Sequence, residues 1–395
     1  MVILFVTPYL REKGEAPKGG GFEAYLFRVT GALREFGHTP IILSLGRRDT
    51  HYFEDGIEVF FIRYSHAHIG KNKNINLLYD RFCQSRAINR KVKELLQERN
   101  IDIIQFPSLF GLSFCYYGNV PAVLRLSSYA KLYYKGYSFS KTELYIWSLC
   151  ERLGAWRCNA VFGPSRNIAD AFAKDIHRAV SVIESPFWND CKNYDDCIYR
   201  ERLSEKKYLL FIGRLHIEKG VLTIAEVIQC FLKANPEYQF VLCGEDGMID
   251  GRSSVQILME AAGECRERIT YIQTLPHEML YPIIEHADFV IFPSLADNFS
   301  NACIEAMYFQ RVVIGTDGTS YEQLIDDEKS GLLCMPGDAE SLLNKMNRAA
   351  AMSEIQKEEM GRCARQRIDR LAPEVTVNRL VCFYRYVIEH TGKRV

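Results

Sequence analysis

Between residues 287 and 306 the chain reads Ala-Asp-Phe-Val-Ile-Phe-Pro-Ser-Leu-Ala-Asp-Asn-Phe-Ser-Asn-Ala-Cys-Ile-Glu-Ala. An apolar run, Phe289 to Phe292, has strand character and stops at Pro293-Ser294. A polar loop follows, and the pattern predicts a helix that begins near Ser300. Two carboxylates, Asp297 and Glu305, stand eight positions apart, one ahead of the helix and one inside it. A helix start offers unpaired N–H groups and a positive dipole end to an anion. The carboxylates can accept hydrogen bonds from hydroxyls. A ligand with phosphate on one side and sugar hydroxyls on the other would satisfy both.

A second cluster is Phe211-Ile212-Gly213-Arg214-Leu215-His216-Ile217-Glu218-Lys219-Gly220. A predicted strand ends at Gly213, and Arg214 and Lys219 follow before the next helix. Two cations at a strand's carboxyl end suit a diphosphate, Arg as a planar fork and Lys as a mobile point charge. The alternative is a solvated basic loop, and the loop is expected to be exposed. Near the amino terminus, Pro17-Lys18-Gly19-Gly20-Gly21-Phe22-Glu23-Ala24 opens a helix. It is neither GxGxxG nor a Walker loop. Its glycines suit close approach to a ligand, or simply a surface loop. Val241 to Gly247 reads as a strand running into a tight turn. His277 reads as a solvated loop residue. No Gly-x-Ser-x-Gly, His-Glu-x-x-His or metal-ligand cluster is present.

These residues need a scaffold of alternating elements. Val2–Val6, Ile41–Leu45, Val59–Ile62, Ile103–Phe106, Ala122–Leu126 and Ala160–Gly163 read as strands, with helices over Glu23–Phe36 and Arg81–Arg99. A polar stretch over 189–207 interrupts the alternation. A second strand series follows: Tyr208–Ile212, Gln239–Cys243, Ile269–Ile272, Phe289–Phe292 and Val312–Ile314. Short apolar strands with crossover helices imply parallel sheets covered on both faces. The chain therefore reads as α/β with two doubly wound, Rossmann-like domains, about residues 1–190 and 200–374. A terminal helix near 375–395 could return to the first domain.

At 395 residues two domains are expected. Basic and acidic side chains balance at 49 each, although residues 1–196 hold 26 basic against 20 acidic. That asymmetry is too mild for a nucleic-acid groove, yet it favours anionic substrates or headgroups near the first half. The opening Met1–Pro8 lacks a basic n-region and reads as a buried strand rather than a signal peptide. The 13 cysteines show no CxxC pair, so reduced thiols and a cytoplasmic location are expected. Residues 103–124 carry no charge, but Pro107, Gly111, Gly118, Asn119 and Pro121 break the run. Two buried strands around a loop account for it. Residues 71–93 carry seven Lys/Arg against Asp80, and 129–147 mix Tyr129, Tyr133, Tyr134, Tyr137, Phe139, Tyr145 and Trp147 with lysines. This pattern suits either peripheral contact with anionic lipid or a solvated helix face beside a loop core.

Taken in order, these elements resemble the retaining glycosyltransferases of the GT-B fold, specifically family 4, over nearly the whole chain. Gly20-Gly21-Phe22-Glu23, with Leu33 and Gly37-His38, resembles that family's opening pattern. Gly213-Arg214-Leu215 with Lys219-Gly220 is similar to its GRL-x-x-x-KG motif. Asp297 to Glu305 matches its E-x7-E spacing. Ala287-Asp288, Pro293-Ser294 and Gly331-Leu332-Leu333 complete the run. The resemblance implies two domains facing a cleft and a UDP- or GDP-type nucleotide-sugar donor held by the second. The acceptor would be a glycan, a lipid-linked or a small molecule, in polysaccharide or glycoconjugate synthesis. It implies a hexosyl transfer without cofactor or metal. Arg214 and Lys219 would hold the diphosphate, with Gly20 and Gly21 closing over it. Glu305 would accept from the ribose. Asp297, with the backbone of Phe299, Ser300 and Asn301, would hold sugar and pyrophosphate. Gly213, Gly244 and Leu275 would complete the donor side, and the base would lie near Gln273–Pro276. Glu23, Ser127 and Ser128 would face the acceptor. The sequence departs from the pattern twice: Asp297 replaces the usual Glu, and Ser127-Ser128 stand where a His is common, so a hydroxyl would replace that contact. The rival readings are a nucleotide-sugar epimerase on the same fold and a non-enzymatic, two-lobed sugar-binding protein.

Overall fold

The computed structural model describes residues 1–12, 21–133 and 139–391. It forms two compact units, one of residues 1–186 with 372–395 and one of residues 187–371.

The first unit holds an eight-stranded sheet. Its strands are β1 (Val2–Thr7), β2 (Thr39–Gly46), β3 (Thr50–Glu54), β4 (Ile57–Arg63), β5 (Ile103–Pro107), β6 (Ala122–Arg125), β7 (Ala160–Gly163) and β8 (Ser181–Val182). The order is β3-β4-β2-β1-β5-β6-β7-β8. All neighbours pair in parallel except β3 and β4. That antiparallel pair corrects the expectation of a purely parallel sheet. Asp55 and Gly56 both adopt positive φ, 48° and 75°, which is the twist a two-residue hairpin requires. The resulting edge strand alternates in burial and carries no long apolar run to announce it.

β6 reads as an apolar strand, yet it ends on a buried arginine. The Arg125 guanidinium lies 3.3 Å from the Tyr25 ring centroid and donates to Ser185 Oγ at 3.2 Å. Beside it, Tyr384 donates to Gln105 Oε1 at 2.6 Å. Tyr384 belongs to the last helix, Pro373–Glu389, which packs in this unit against the helix Gly21–Glu35. Among the described residues no helix is long and apolar enough to cross a membrane. The uncharged stretch over 103–124 contains β5, a short helical turn and β6, as two buried strands around a loop require.

The second unit contains β9 (Lys207–Ile212), β10 (Tyr238–Cys243), a small hairpin of β11 (Met248–Ile249) and β12 (Arg252–Ser253), then β13 (Ile269–Ile272), β14 (Phe289–Ile291), β15 (Val312–Thr316) and β16 (Leu332–Cys334). The main sheet is wholly parallel, in the order β13-β10-β9-β14-β15-β16. Alternate residues of each strand feed two separate cores. Leu209, Phe211, Phe240 and Phe289 face one, with the helix Val221–Ala234. Tyr208, Leu210, Val241 and Val290 face the other, with the helices His277–Glu285 and Asn301–Tyr308. Burial on both faces is the reason these strands read as continuous apolar runs.

Glu151 lies fully buried in the helix Lys141–Trp156, where Oε2 accepts the Ala130 N–H at 3.1 Å. Burial pushes its carboxyl well above the usual range. In the unfolded chain the group ionises near pH 4.3. The folded state therefore holds a proton that the unfolded state releases, and stability falls as pH rises above that point. Glu151→Gln, which keeps an acceptor without the charge, is expected to flatten this decline. Denaturant unfolding at pH 5 and pH 7.5 measures it, and an unchanged slope would contradict the assignment.

Candidate functional site

In the main sheet of the second unit β9 is central: the chain runs outward through β10 and β13, then returns to β14 on the other side. Ligands of open α/β sheets bind at the carboxyl ends of the strands where the order reverses. Here that point lies between the loops that follow β9 and β14.

The two loops are built against each other. Gly213 continues the β9 ladder by donating its N–H to Cys243 O at 3.0 Å, and Gly244 donates to Ile272 O at 3.1 Å. These two glycines serve close packing of adjacent turns, for a Cβ on Gly244 would meet Gly213 O at 2.0 Å. Leu215 is buried, a short turn follows over Ile217–Lys219, and Gly220 takes the left-handed conformation at φ 78°. A Cβ on Gly220 would lie 2.0 Å from Pro293 O. The Leu295 N–H donates to Glu218 O at 2.8 Å and joins the loops directly.

This packing brings Lys219 and Asp297 together, Nζ to Oδ2 at 2.5 Å. Tyr321, just after β15, donates to the same oxygen at 3.2 Å. Burial first, and the Asp297 carboxylate second, hold the Tyr321 phenol far above its ordinary range, so it stays a neutral donor. The same two causes push up the buried Cys303 thiol nearby. The helix after Asp297 is capped by Ser300, whose Oγ accepts the Cys303 N–H at 3.3 Å. Asp297 is therefore not the cap, and its carboxylate is committed to Lys219 and Tyr321. The first-turn N–H groups of Asn301 and Ala302 have no partner within the helix, as geometry demands. Phe299 packs on the underlying core.

Glu305 lies inside this helix, 4 % exposed. His277 Nε2 stands 3.4 Å from its Oε1, and the His277 ring stacks on Tyr281 with centroids 5.1 Å apart. The expectation of a solvated loop histidine is thus corrected: His277 opens the helix His277–Glu285 and faces a buried carboxylate. The sequence signal was its place one residue after Pro276, at a helix start beyond β13. Leu275, in the same turn, packs against the core beneath. Tyr321 was missed altogether, because nothing in its local sequence marks it. Arg214 is more exposed than Lys219 and bonds Glu245 Oε2 at 3.1 Å.

The described residues expected on the first unit, Gly21, Glu23, Ser127 and Ser128, follow the carboxyl ends of β1 and β6. Gly20 falls outside the described residues, and Gly21 begins the helix Gly21–Glu35. Glu23 Oε1 accepts the Arg11 N–H at 3.0 Å. The Ser127 N–H donates to Ser108 Oγ at 3.1 Å. The Ser128 hydroxyl is buried with no hydrogen-bond partner among the described residues. Among those residues no three His, Cys, Asp or Glu side chains are grouped to hold a metal ion.

Comparison with known proteins covers both units. Residues 19–186 match the family model described as Glycosyltransferase Family 4, and residues 199–367 match Glycosyl transferases group 1. Among curated proteins, an alpha-D-kanosaminyltransferase of Streptomyces kanamyceticus is 27 % identical over 173 residues, 43 % of this chain and 44 % of that protein. A GDP-mannose:cellobiosyl-diphosphopolyprenol alpha-mannosyltransferase of Xanthomonas oryzae is 20 % identical over 53 % of each. The chain thus matches only about half the length of these curated relatives. Among solved structures, sucrose-phosphate synthase from Thermosynechococcus elongatus shares the fold with a TM-score of 0.75 at 18 % identity, covering 98 % of this chain and 99 % of that one. Anabaena HepE in complex with UDP and glucose gives 0.70 at 17 %, with the same coverage.

The unequal burial of the two cations has a measurable consequence. Lys219→Ala leaves a carboxylate that is only 10 % exposed without its cation, and is expected to lower unfolding free energy by about 1–3 kcal/mol. Arg214→Ala, at an exposed pair, is expected to stay within about 0.5 kcal/mol. Equilibrium denaturation distinguishes them, and equal effects would contradict the geometry. This revises, for Lys219, the expectation that the loop is exposed.

Proposed function

The chain is a glycosyltransferase of the GT-B fold, and from that premise we propose that it moves a hexosyl group from a nucleotide-diphosphate sugar to a hydroxyl of a glycan, lipid-linked or small-molecule acceptor, with retention of anomeric configuration. The observation that carries the reading is the convergence of Lys219, Asp297 and Tyr321 where the second sheet reverses its order, with Glu305 buried eight residues beyond Asp297. Lys219 and Arg214 offset the charge that develops on the departing diphosphate, with help from the helix start at Asn301. Glu305, held by His277, accepts from the ribose hydroxyls. Asp297, held by a neutral phenol on one side and an ammonium on the other, faces the transferred sugar together with the backbone of Phe299 and Ser300. The relatives named above suggest UDP- or GDP-linked donors. Ser127 and Ser128 lie on the acceptor side. Thirteen free cysteines suit a reducing, cytoplasmic setting.

Kinetics test the division of labour. Arg214→Ala and Lys219→Ala are each expected to lower kcat/KM by about ten- to several-hundred-fold, the loss of one charge-assisted contact of roughly 1.5–3 kcal/mol. Glu305→Gln is expected to weaken both free nucleoside diphosphate and intact donor, whereas Asp297→Asn mainly affects the donor. A donor screen by thermal shift supplies the ligands, and equal losses for both ligands in both variants would overturn the assignment.

We propose that the transfer needs no metal, with the cations at the switch point offsetting the leaving-group charge. Activity is expected to persist in EDTA. Complete loss, with rescue by Mn²⁺ or Mg²⁺, would refute metal independence while leaving the donor site in place.

A further inference from the structure

The helix Lys73–Glu98 of the first unit buries Gln84, Ser85, Ile88, Val92 and Leu95 on one side. On the opposite side Ile75, Leu78, Tyr79 and Phe82 recur at helical spacing, and all four are exposed, Ile75 by 56 %. Arg86, Arg90 and Lys93 continue the same face toward the helix end and are exposed as well. The apolar half also extends sideways. Phe82 meets Phe114 edge-on at 6.3 Å, and beyond it the Arg157 guanidinium lies 4.1 Å from the ring centroid of Tyr117, which is 74 % exposed.

The acidic groups of this helix near the face are buried or paired. Asp80 is buried and accepts from Tyr64, His66 and the Ala67 N–H. Glu94 lies to one side and bonds Lys91. Of the described aromatics of 129–147, only Tyr145 is exposed. Tyr129 is buried against Phe172, and Trp147 packs against Phe110 and Phe139. Isolated exposed apolar side chains need no explanation, but a continuous stripe that runs into charge of one sign does.

We propose that this face docks on an anionic lipid bilayer. The Ile75–Phe82 end enters the boundary between headgroups and acyl chains, and Arg86, Arg90 and Lys93 lie over lipid phosphates. Charge selects this occupant, since a row of solvated cations beside an apolar stripe, with its acids paired or buried, complements a surface of phosphates. The surface lies wholly within the first unit and is independent of the donor site.

The test is sedimentation of the full chain with phosphatidylcholine vesicles, with and without phosphatidylglycerol. Binding is expected only with phosphatidylglycerol, and it is expected to be lost near 1 M salt, where the screening length falls to about 3 Å. Each basic side chain at such a surface contributes a factor of about five, so R86E/R90E is expected to weaken binding at least 25-fold or so. L78S/F82S leaves charge unchanged and is expected to lose several-fold. The same number of reversals on the second unit, K192E/K206E, is expected to change little. The substituted side chains are exposed, and melting curves verify folding. Should one variant fail to fold, the other still decides. Equal binding to both vesicle types, or wild-type binding by the stripe variants, would overturn the proposal. So would a self-associating chain that L78S/F82S converts to monomer without any effect on vesicles, for the stripe would then cover a second copy.

Discussion

The carbonyl of Pro293 occupies the space where a side chain on residue 220 would have to sit. That contact is possible only because Gly220 has no Cβ and tolerates positive φ. It lets the loops after β9 and β14 meet at the point where the sheet reverses order. Without it the Leu295 N–H would not reach Glu218 O, nor Lys219 the Asp297 carboxylate. The candidate site thus depends on backbone packing before it depends on any charged side chain.

Electrostatics then defines what the packed loops can do. Asp297 is largely withdrawn from water, and a carboxylate so placed needs partners. Lys219 supplies a full charge, and Tyr321 a proton that burial keeps in place. Glu305 follows the same logic with a milder partner, His277, which remains close to half exposed. One carboxylate is held by a cation and a phenol, the other by an imidazole at the rim. This difference in surroundings, rather than a difference in acid type, separates their proposed roles toward sugar and ribose.

The first unit solves a different problem. Its sheet carries a buried guanidinium at Arg125, which it accommodates with the Tyr25 ring and the Ser185 hydroxyl. Tyr384 reaches Gln105 across 279 residues of sequence, so the last helix contributes directly to this interior. On the outside, the helix Lys73–Glu98 leaves an apolar and basic face to solvent. Interior polarity and exterior apolarity of this kind invert the usual pattern, and both mark places where stability alone does not explain the residue choice.

The α/β class and the doubly wound character were legible in the sequence, because strands buried on both faces must be apolar throughout and a helix must separate parallel neighbours. The strand end at Gly213, the helix start near Ser300 and the Asp297 to Glu305 spacing are local features, set by a few consecutive residues. The hairpin at Asp55-Gly56 was also local, yet its half-exposed strand gave only a weak alternating pattern. What no local pattern contains is the pairing of elements. Tyr321 joins Asp297 from 24 residues away, Lys219 from 78, and His277 reaches Glu305 from the turn after another strand. The exposure of Ile75, Leu78, Tyr79 and Phe82 belongs to the same class, since an apolar helix stripe looks identical in sequence whether or not another element covers it. Strand order and packing decide these matters, because burial and contact are properties of the assembled layers and each residue's neighbours come from distant parts of the chain.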